Sequence, residues 1–297
     1  MSTSSPPIDR PAPATEAAPE PASGRRTVGR LLRSELGMVF RRRRNLAILA
    51  VLAGIPIVIA IAIKVTAPPT DGTDGPPFLF SITGNGIFVA LTALTVVLPL
   101  FLPLAVSVVA GESVAGEASL GTLRYLLVVP VSRTRLLAVK YAGALAYCLA
   151  AAFVVAVVGT VMGALLFPIG PVTLLSGTQV SYGAGLARLL LVALYIAAMM
   201  AGLAAIGLFV STLTESAIAA MATTAVLSVL SQVLNQVPQL DWLAPWLFSH
   251  YWLDYGDLLR DPIATGAVTK GLAATAAYVL IFGSLAWSRM TTKDVSS

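Results

Sequence analysis

The sequence predicts an all-α polytopic membrane protein with six transmembrane helices, and three observations predict it. Hydrophobic residues make up 57% of the 297 positions and charged residues only 11%, whereas soluble domains carry about 25% charged residues. Six apolar runs each approach the ~20 residues that a helix needs to cross a bilayer. The remaining charges gather at the ends of those runs. In lipid every backbone polar group must be satisfied internally, and a helix does that within one segment.

Residues 1–24 are rich in Pro, Ala, Ser and Thr and poor in large apolar side chains. Such a segment cannot bury enough surface to offset its ordering entropy, so it reads as a disordered tail. It is not a secretory signal, because the first apolar core begins only after residue 45. Residues 25–44 predict an amphipathic helix in the membrane interface, with Val28, Leu31, Leu32, Glu35, Met38 and Val39 near one face and arginines such as Arg33 largely on the other. Arg41, Arg42, Arg43 and Arg44 then abut the first apolar run. The plain reading of that run is a topology anchor drawn to anionic lipid. A contact with a cytoplasmic partner is compatible with it.

The spans fall at about 46–66, 86–110, 139–166, 187–210, 216–235 and 268–287. Pro56, Pro99 and Pro103 lie inside spans and are expected to kink helices without ending them. Small residues such as Gly202, Ala205 and Gly207 suit close helix packing. Of the connecting segments, 67–85 is rich in Pro and Gly and reads as irregular chain, and 167–186 is short. Residues 236–266 contain Trp242, Trp246, Tyr251, Trp252 and Tyr255. These predict one or two short helices at the outer membrane–water boundary, where amphipathic rings settle.

Charge sets the orientation. Residues 25–44 hold eight arginines, residues 111–140 four basic residues, and the end of the chain Arg289 and Lys293. The other side holds Lys64, Arg188, Arg260 and Lys270 beside six aspartates. The bias places both termini and the 111–140 loop in the cytoplasm of a multi-pass cell-membrane protein. It also explains the net charge of +5 without nucleic acid.

The 111–140 stretch is the longest charged break between apolar runs in the body of the chain, with Glu112, Glu117, Arg124, Arg133, Arg135 and Lys140. One reading makes it an ordinary basic loop that holds topology. The sharper one makes it a docking element. Glu117, Gly121-Thr122-Leu123, Leu126-Leu127, Pro130-Val131-Ser132-Arg133 and Lys140 occur there in that order. This pattern resembles the cytoplasmic signature of permease subunits in the type-2 ATP-binding-cassette exporter family. There too it lies between the second and third of six spans. The basic amphipathic helix and the aromatic segment before the last span are similar as well, so the likeness covers roughly residues 27–290.

The resemblance implies a permease domain over 45–290, with a short cytoplasmic tail at 291–297. It implies a second permease copy across a central pathway, and an ATP-binding-cassette ATPase subunit below. It places a coupling helix near 113–128, followed by a turn at Pro130–Arg133. Glu112, Glu117, Gly121, Thr122, Leu123, Arg124, Pro130, Ser132, Arg133 and Lys140 then become candidates for coupling. Gly111, Gly116 and Gly121 permit bends between span and coupling helix.

Other chemistry is missing from the sequence. It has no G-x-x-x-x-G-K-[ST], so ATP and Mg are expected on the partner subunit, and no cofactor is expected on this chain. Cys148, the single cysteine, reads as a packing residue. His250, the single histidine, has Asp254 and Asp257 near it. It reads as an interfacial hydrogen-bonding residue before it reads as a metal or proton site. Glu215 lies in a short turn where Ser and Thr offer helix caps.

Candidate pathway positions are Thr92, Thr95 and Ser107 with Asn85 on one face, and Thr223, Thr224, Ser228, Ser231 and Asn235 on the other. Hydroxyls on membrane helices commonly bond their own backbone or a neighbouring helix. The leading expectation is the transmembrane subunit of an exporter of drugs, lipids or other amphiphiles. The competing ones are a membrane scaffold without transport and an ion-coupled carrier. The carrier is disfavoured because the spans lack mid-membrane carboxylates.

Overall fold

The computed structural model describes residues 24–66, 84–119 and 132–292. Among them run eight α-helices. They are α1 (Gly24–Arg41), α2 (Arg43–Thr66), α3 (Ile87–Val97), α4 (Phe101–Ser119), α5 (Arg133–Leu166), α6 (Tyr182–Leu213), α7 (Ala217–Leu234) and α8 (Gly266–Thr292). Six of these, α2 and α4 to α8, are long and apolar enough to cross a membrane. The architecture is that of an all-α polytopic membrane protein.

Serine side chains start three of the helices. Ser132, Ser181 and Ser216 each have extended backbone and accept a hydrogen bond from an N–H three residues on, each at 3.3 Å. Each cap satisfies one of the N–H groups that a helix leaves without partners at its start. Ser216 is the cap that the Glu215 turn supplies.

The second span differs from its expectation. Residues 86–110 do not form one helix; α3 stops at Val97 and α4 begins at Phe101. Pro99 sits in the break, where it has no N–H to donate and its ring clashes with the turn before it. Pro103 is tolerated because it lies in the first turn of α4, and Pro56 is kept inside α2. At its other end α4 runs on to Ser119, past the expected end near residue 110. The eleven residues of α3 rise only about 17 Å, so α3 and α4 together make the crossing.

The core lies where α3, α4, α5 and α6 meet. Leu94, Leu98, Leu102, Tyr147, Ile196, Met200 and Leu203 are fully buried there. Glycine lets the backbones touch. Gly86 and Gly163 are in backbone contact, and a Cβ on Gly159 would stand 2.6 Å from the Cα of Ala90. Further along, a Cβ on Gly111 would meet Met221 Cα at 2.8 Å, and one on Gly207 would meet Ala110 Cβ at 2.8 Å. Lipid offers helices no hydrophobic drive to associate, so such close approach is how they gain packing energy. Gly111 therefore serves contact with α7, while Gly116 lies against the Glu112 side chain of its own helix; both sit inside continuous α4 and not at the bends expected of them.

The connection between α5 and α6 holds a small antiparallel hairpin, Val172–Thr173 with Gln179–Val180. Its turn needs Gly177, which takes φ +81°, a region that side chains with a Cβ disfavour. The aromatic segment forms three 3-10 turns, Pro238–Leu240, Ala244–Trp246 and Asp254–Leu259, in place of one or two short helices. Trp242 and Trp246 are exposed, as expected of boundary rings. Trp252 and Tyr255 are not: they turn inward and are buried in the core, 2% and 7% exposed. Residues 1–23 of the tail expected over 1–24, nearly all of the 67–85 connection and residues 293–297 lie outside the described residues, and Gly24 opens α1. Thr291 and Thr292 of the expected tail belong to α8.

Candidate functional site

Charged residues of α1, α2, α4 and α5 converge on one end of the bundle, called the basic end below. The break between α1 and α2 falls at Arg42, so the expected 25–44 helix is two helices, and Arg43 and Arg44 open the first span. Asn45 fixes the corner. It is buried, its side-chain amide donates to the carbonyl of Val39 at 2.9 Å, and its own carbonyl accepts from Tyr147 Oη at 3.2 Å. Phe40 packs on the Tyr147 ring, 6.1 Å between centroids. These contacts hold α1 against α5. A helix lying only in the interface would leave that face to lipid.

Two ionic clusters complete the joint. Lys140 of α5 is 2% exposed. Its Nζ lies 2.6 Å from Glu117 Oε1 on α4 and 3.6 Å from Glu35 Oε2 on α1. Burial pushes the Glu35 carboxyl above its ordinary range; the Lys140 ammonium pulls against that, and the Glu117 charge adds to it. Beside this triad, Glu112 of α4 pairs with Arg42 at 2.6 Å and also with Arg44. A cavity of about 30 Å³ separates the clusters, roughly the space of one water molecule. Four helices from distant parts of the sequence are thus tied by six ionisable groups and Asn45.

Glu112, Glu117 and Lys140, candidates for coupling to a partner, are paired within the chain. Arg133 reaches across to α8, where its guanidinium donates to the carbonyls of Met290 and Thr291 at 2.8 and 3.0 Å. Ser132 is a helix cap, and Arg133 to Lys140 belong to α5, not to a loop. A separate helix from residue 113 is not formed, since residues 113–119 continue α4. Gly121, Thr122, Leu123, Arg124 and Pro130 lie outside the described residues. Arg33 and Arg41, with Arg42, line a shallow basic hollow on the outer side of α1.

The hydroxyls proposed for a pathway are mostly satisfied locally. Ser107 donates to Pro103 O at 2.7 Å and Thr224 to Ala220 O at 2.8 Å, and both are fully buried. Thr95 bonds Leu91 O at 2.8 Å and the phenol of Tyr255 at 2.5 Å, which ties the aromatic segment to α3. Asn85 bridges to the carbonyls of Gly170 and Pro171, at 2.7 and 3.1 Å. Thr92 is half-buried on α3, and Ser228 is buried on the α7 face that packs on α4. His250 meets Asn235 Oδ1 at 2.7 Å and the edge of Tyr251. Among the described residues no three His, Cys, Asp or Glu side chains stand close enough to hold a metal ion.

Sequence reasoning missed Asn45, and it missed the pairing of Lys140 with Glu35. A lone Asn directly after four arginines was the available signal for the first; the second had none, because the partners lie more than a hundred residues apart.

A family model described as a protein of unknown function (DUF2705) matches residues 56–296. No curated protein matches the chain.

Proposed function

The chain belongs to the DUF2705 family, whose function is unknown, and from its own residues we propose that it is the membrane permease subunit of an ATP-driven exporter. In this reading the basic end faces the cytoplasm, as the arginine bias favours. A separate ATPase subunit docks on the 120–131 segment, and a second permease copy completes the pathway. The cargo is a drug, lipid or other amphiphile.

One observation carries the reading. The 120–131 segment joins α4 to α5, and at that joint the ends of both helices are fastened to α1 by buried ionic contacts. A push applied there is delivered to α1, α4 and α5 as one body. This is what rigid-body coupling needs, provided that nucleotide favours one of two states. The residue pattern of the segment supports the same reading. The paired glutamates and Lys140 then keep the joint rigid, and contact with the ATPase falls to residues such as Arg124.

The test is copurification and transport. The chain is expected to copurify with a P-loop ATPase, and Arg124→Glu is expected to remove that subunit while the thermal stability of the permease stays unchanged. Transport by the chain alone under an ion gradient, without ATP, overturns the proposal.

A further inference from the structure

A second feature of the basic end lies on the outer wall of the bundle, away from the ionic joint. Between α5, α6 and α8 runs an open groove of about 440 Å³, within the range of small-molecule sites, ~300–1,000 Å³. Leu137, Ala205, Leu208 and Leu280 form its alkyl wall. Four polar side chains also line it, and their polar atoms are spoken for. Tyr141 donates to Ala201 O at 3.0 Å, Ser284 to Leu280 O at 2.6 Å, and the Trp287 indole N–H to Thr134 Oγ1 at 2.8 Å. A wall whose hydrogen bonds are already made recognises a hydrocarbon chain.

The ends of the groove identify whose chain. From Trp287 to Val279 it follows α8 for eight residues, a rise of about 12 Å, close to one leaflet of a ~30 Å hydrocarbon core. Its mouth carries an indole, a ring that settles at headgroup level. Two cations, Arg133 and Arg135, flank the groove residue Thr134 in the sequence of α5. Arg133 is pinned across the mouth on the last carbonyls of α8. Arg135 sits one turn before Ala138, another groove residue. An alkyl wall about one leaflet long, with an indole at its mouth and two arginines flanking Thr134 in the adjoining first turn of α5, matches a lipid with a negative headgroup.

We propose that this groove is a binding site for an anionic phospholipid, with one acyl chain between α5, α6 and α8 and its phosphate near Arg133 and Arg135. The site does not depend on a motor subunit, so it stands or falls apart from the exporter reading.

Gly283 supplies the decisive variant. It lines the groove, and a Cβ there meets no atom within 4 Å, so Gly283→Leu fills the site without forcing the helices apart. The probe is Trp287 fluorescence in a chain carrying Trp242→Phe, Trp246→Phe and Trp252→Phe. That chain is reconstituted in phosphatidylcholine vesicles containing brominated phosphatidylglycerol or brominated phosphatidylcholine. The brominated anionic lipid is expected to quench Trp287 at a lower mole fraction, by about fivefold for each arginine involved. Arg135→Gln is expected to reduce that preference about fivefold, and Gly283→Leu to abolish it. Because Trp252 is buried, native mass spectrometry of the unsubstituted chain provides an independent measurement. Phosphatidylglycerol is expected to stay bound to the parent chain and to be lost from Gly283→Leu. Equal quenching by both headgroups, retained lipid in Gly283→Leu, or a second copy of the chain in place of lipid overturns the proposal.

Discussion

The two ends of the bundle are held together by different means. At the basic end α1, α2, α4 and α5 are joined through charge: Lys140 between Glu35 and Glu117, and Glu112 between Arg42 and Arg44. At the opposite end the connections plug the bundle with neutral groups. Trp252 and Tyr255 insert between helices, Asn85 clasps Gly170 and Pro171, and Gly86 touches Gly163. Even Arg188 there spends its guanidinium on the carbonyls of Leu258 and Arg260, as well as on Asp261 at 3.6 Å. Neutral packing has one good arrangement and is indifferent to pH and salt. Ionic joints respond to both, so the basic end is the adjustable one.

The largest expected effect breaks the ionic end. Lys140→Met leaves the Glu35 and Glu117 carboxylates facing each other without their shared cation and should cost about 3–5 kcal/mol, read as a lower unfolding temperature in detergent. Adding Glu35→Gln and Glu117→Gln should recover most of that loss, because a buried ion cluster replaced whole is often nearly neutral. Failure to recover would show that Lys140 acts through its alkyl packing. Next comes the neutral end. Gly163→Ala drives a Cβ into the Gly86 carbonyl and should cost about 3 kcal/mol with no dependence on salt. An equal salt dependence of the two variants would erase the contrast between the ends.

Smaller effects sharpen it. Glu112→Gln removes a half-exposed cluster and should cost about 1 kcal/mol or less, a cost that shrinks with added salt. The pH dependence has a definite sign. Burial raises the Glu35 carboxyl in the folded state, so the folded chain holds that proton more tightly than the unfolded one. The Glu35 contribution to stability therefore falls as pH rises from the ordinary carboxylate range through the raised value. Glu35→Gln should flatten that part of the stability–pH curve, measured by unfolding between acid and neutral pH.

Much of the fold was legible in the sequence because bilayer crossing leaves a plain mark, a long apolar run with charges at its ends. The runs that became α2, α6, α7 and α8 needed only small changes at their ends. Pro99 was legible as an irregularity but not as a break, since neighbouring contacts decide whether a helix survives a proline. Aromatic composition marked residues 236–266 for the boundary but could not say which rings turn inward, and Trp252 and Tyr255 did. The candidate site was half legible. Glu112, Glu117 and Lys140 stood out as charges in an apolar chain, yet nothing in sequence order revealed that Glu35 and Arg42 lie against them. Pairing is a property of the packed helices, and one sequence read alone does not contain it.

The close approaches along α4 have a mechanical consequence. Ala110 and Gly111 are gripped on two sides at one level, by Gly207 of α6 and by Met221 of α7. Beyond this grip the helix extends about 12 Å to Ser119 and about 15 Å back to Phe101. The Ser119 side is held further, by Glu117 on Lys140 and by the Ser211 hydroxyl, which accepts from the N–H groups of Val114 and Ala115. The Phe101 side ends at the Pro99 break, so α4 bends there before it slides past its neighbours at Ser119.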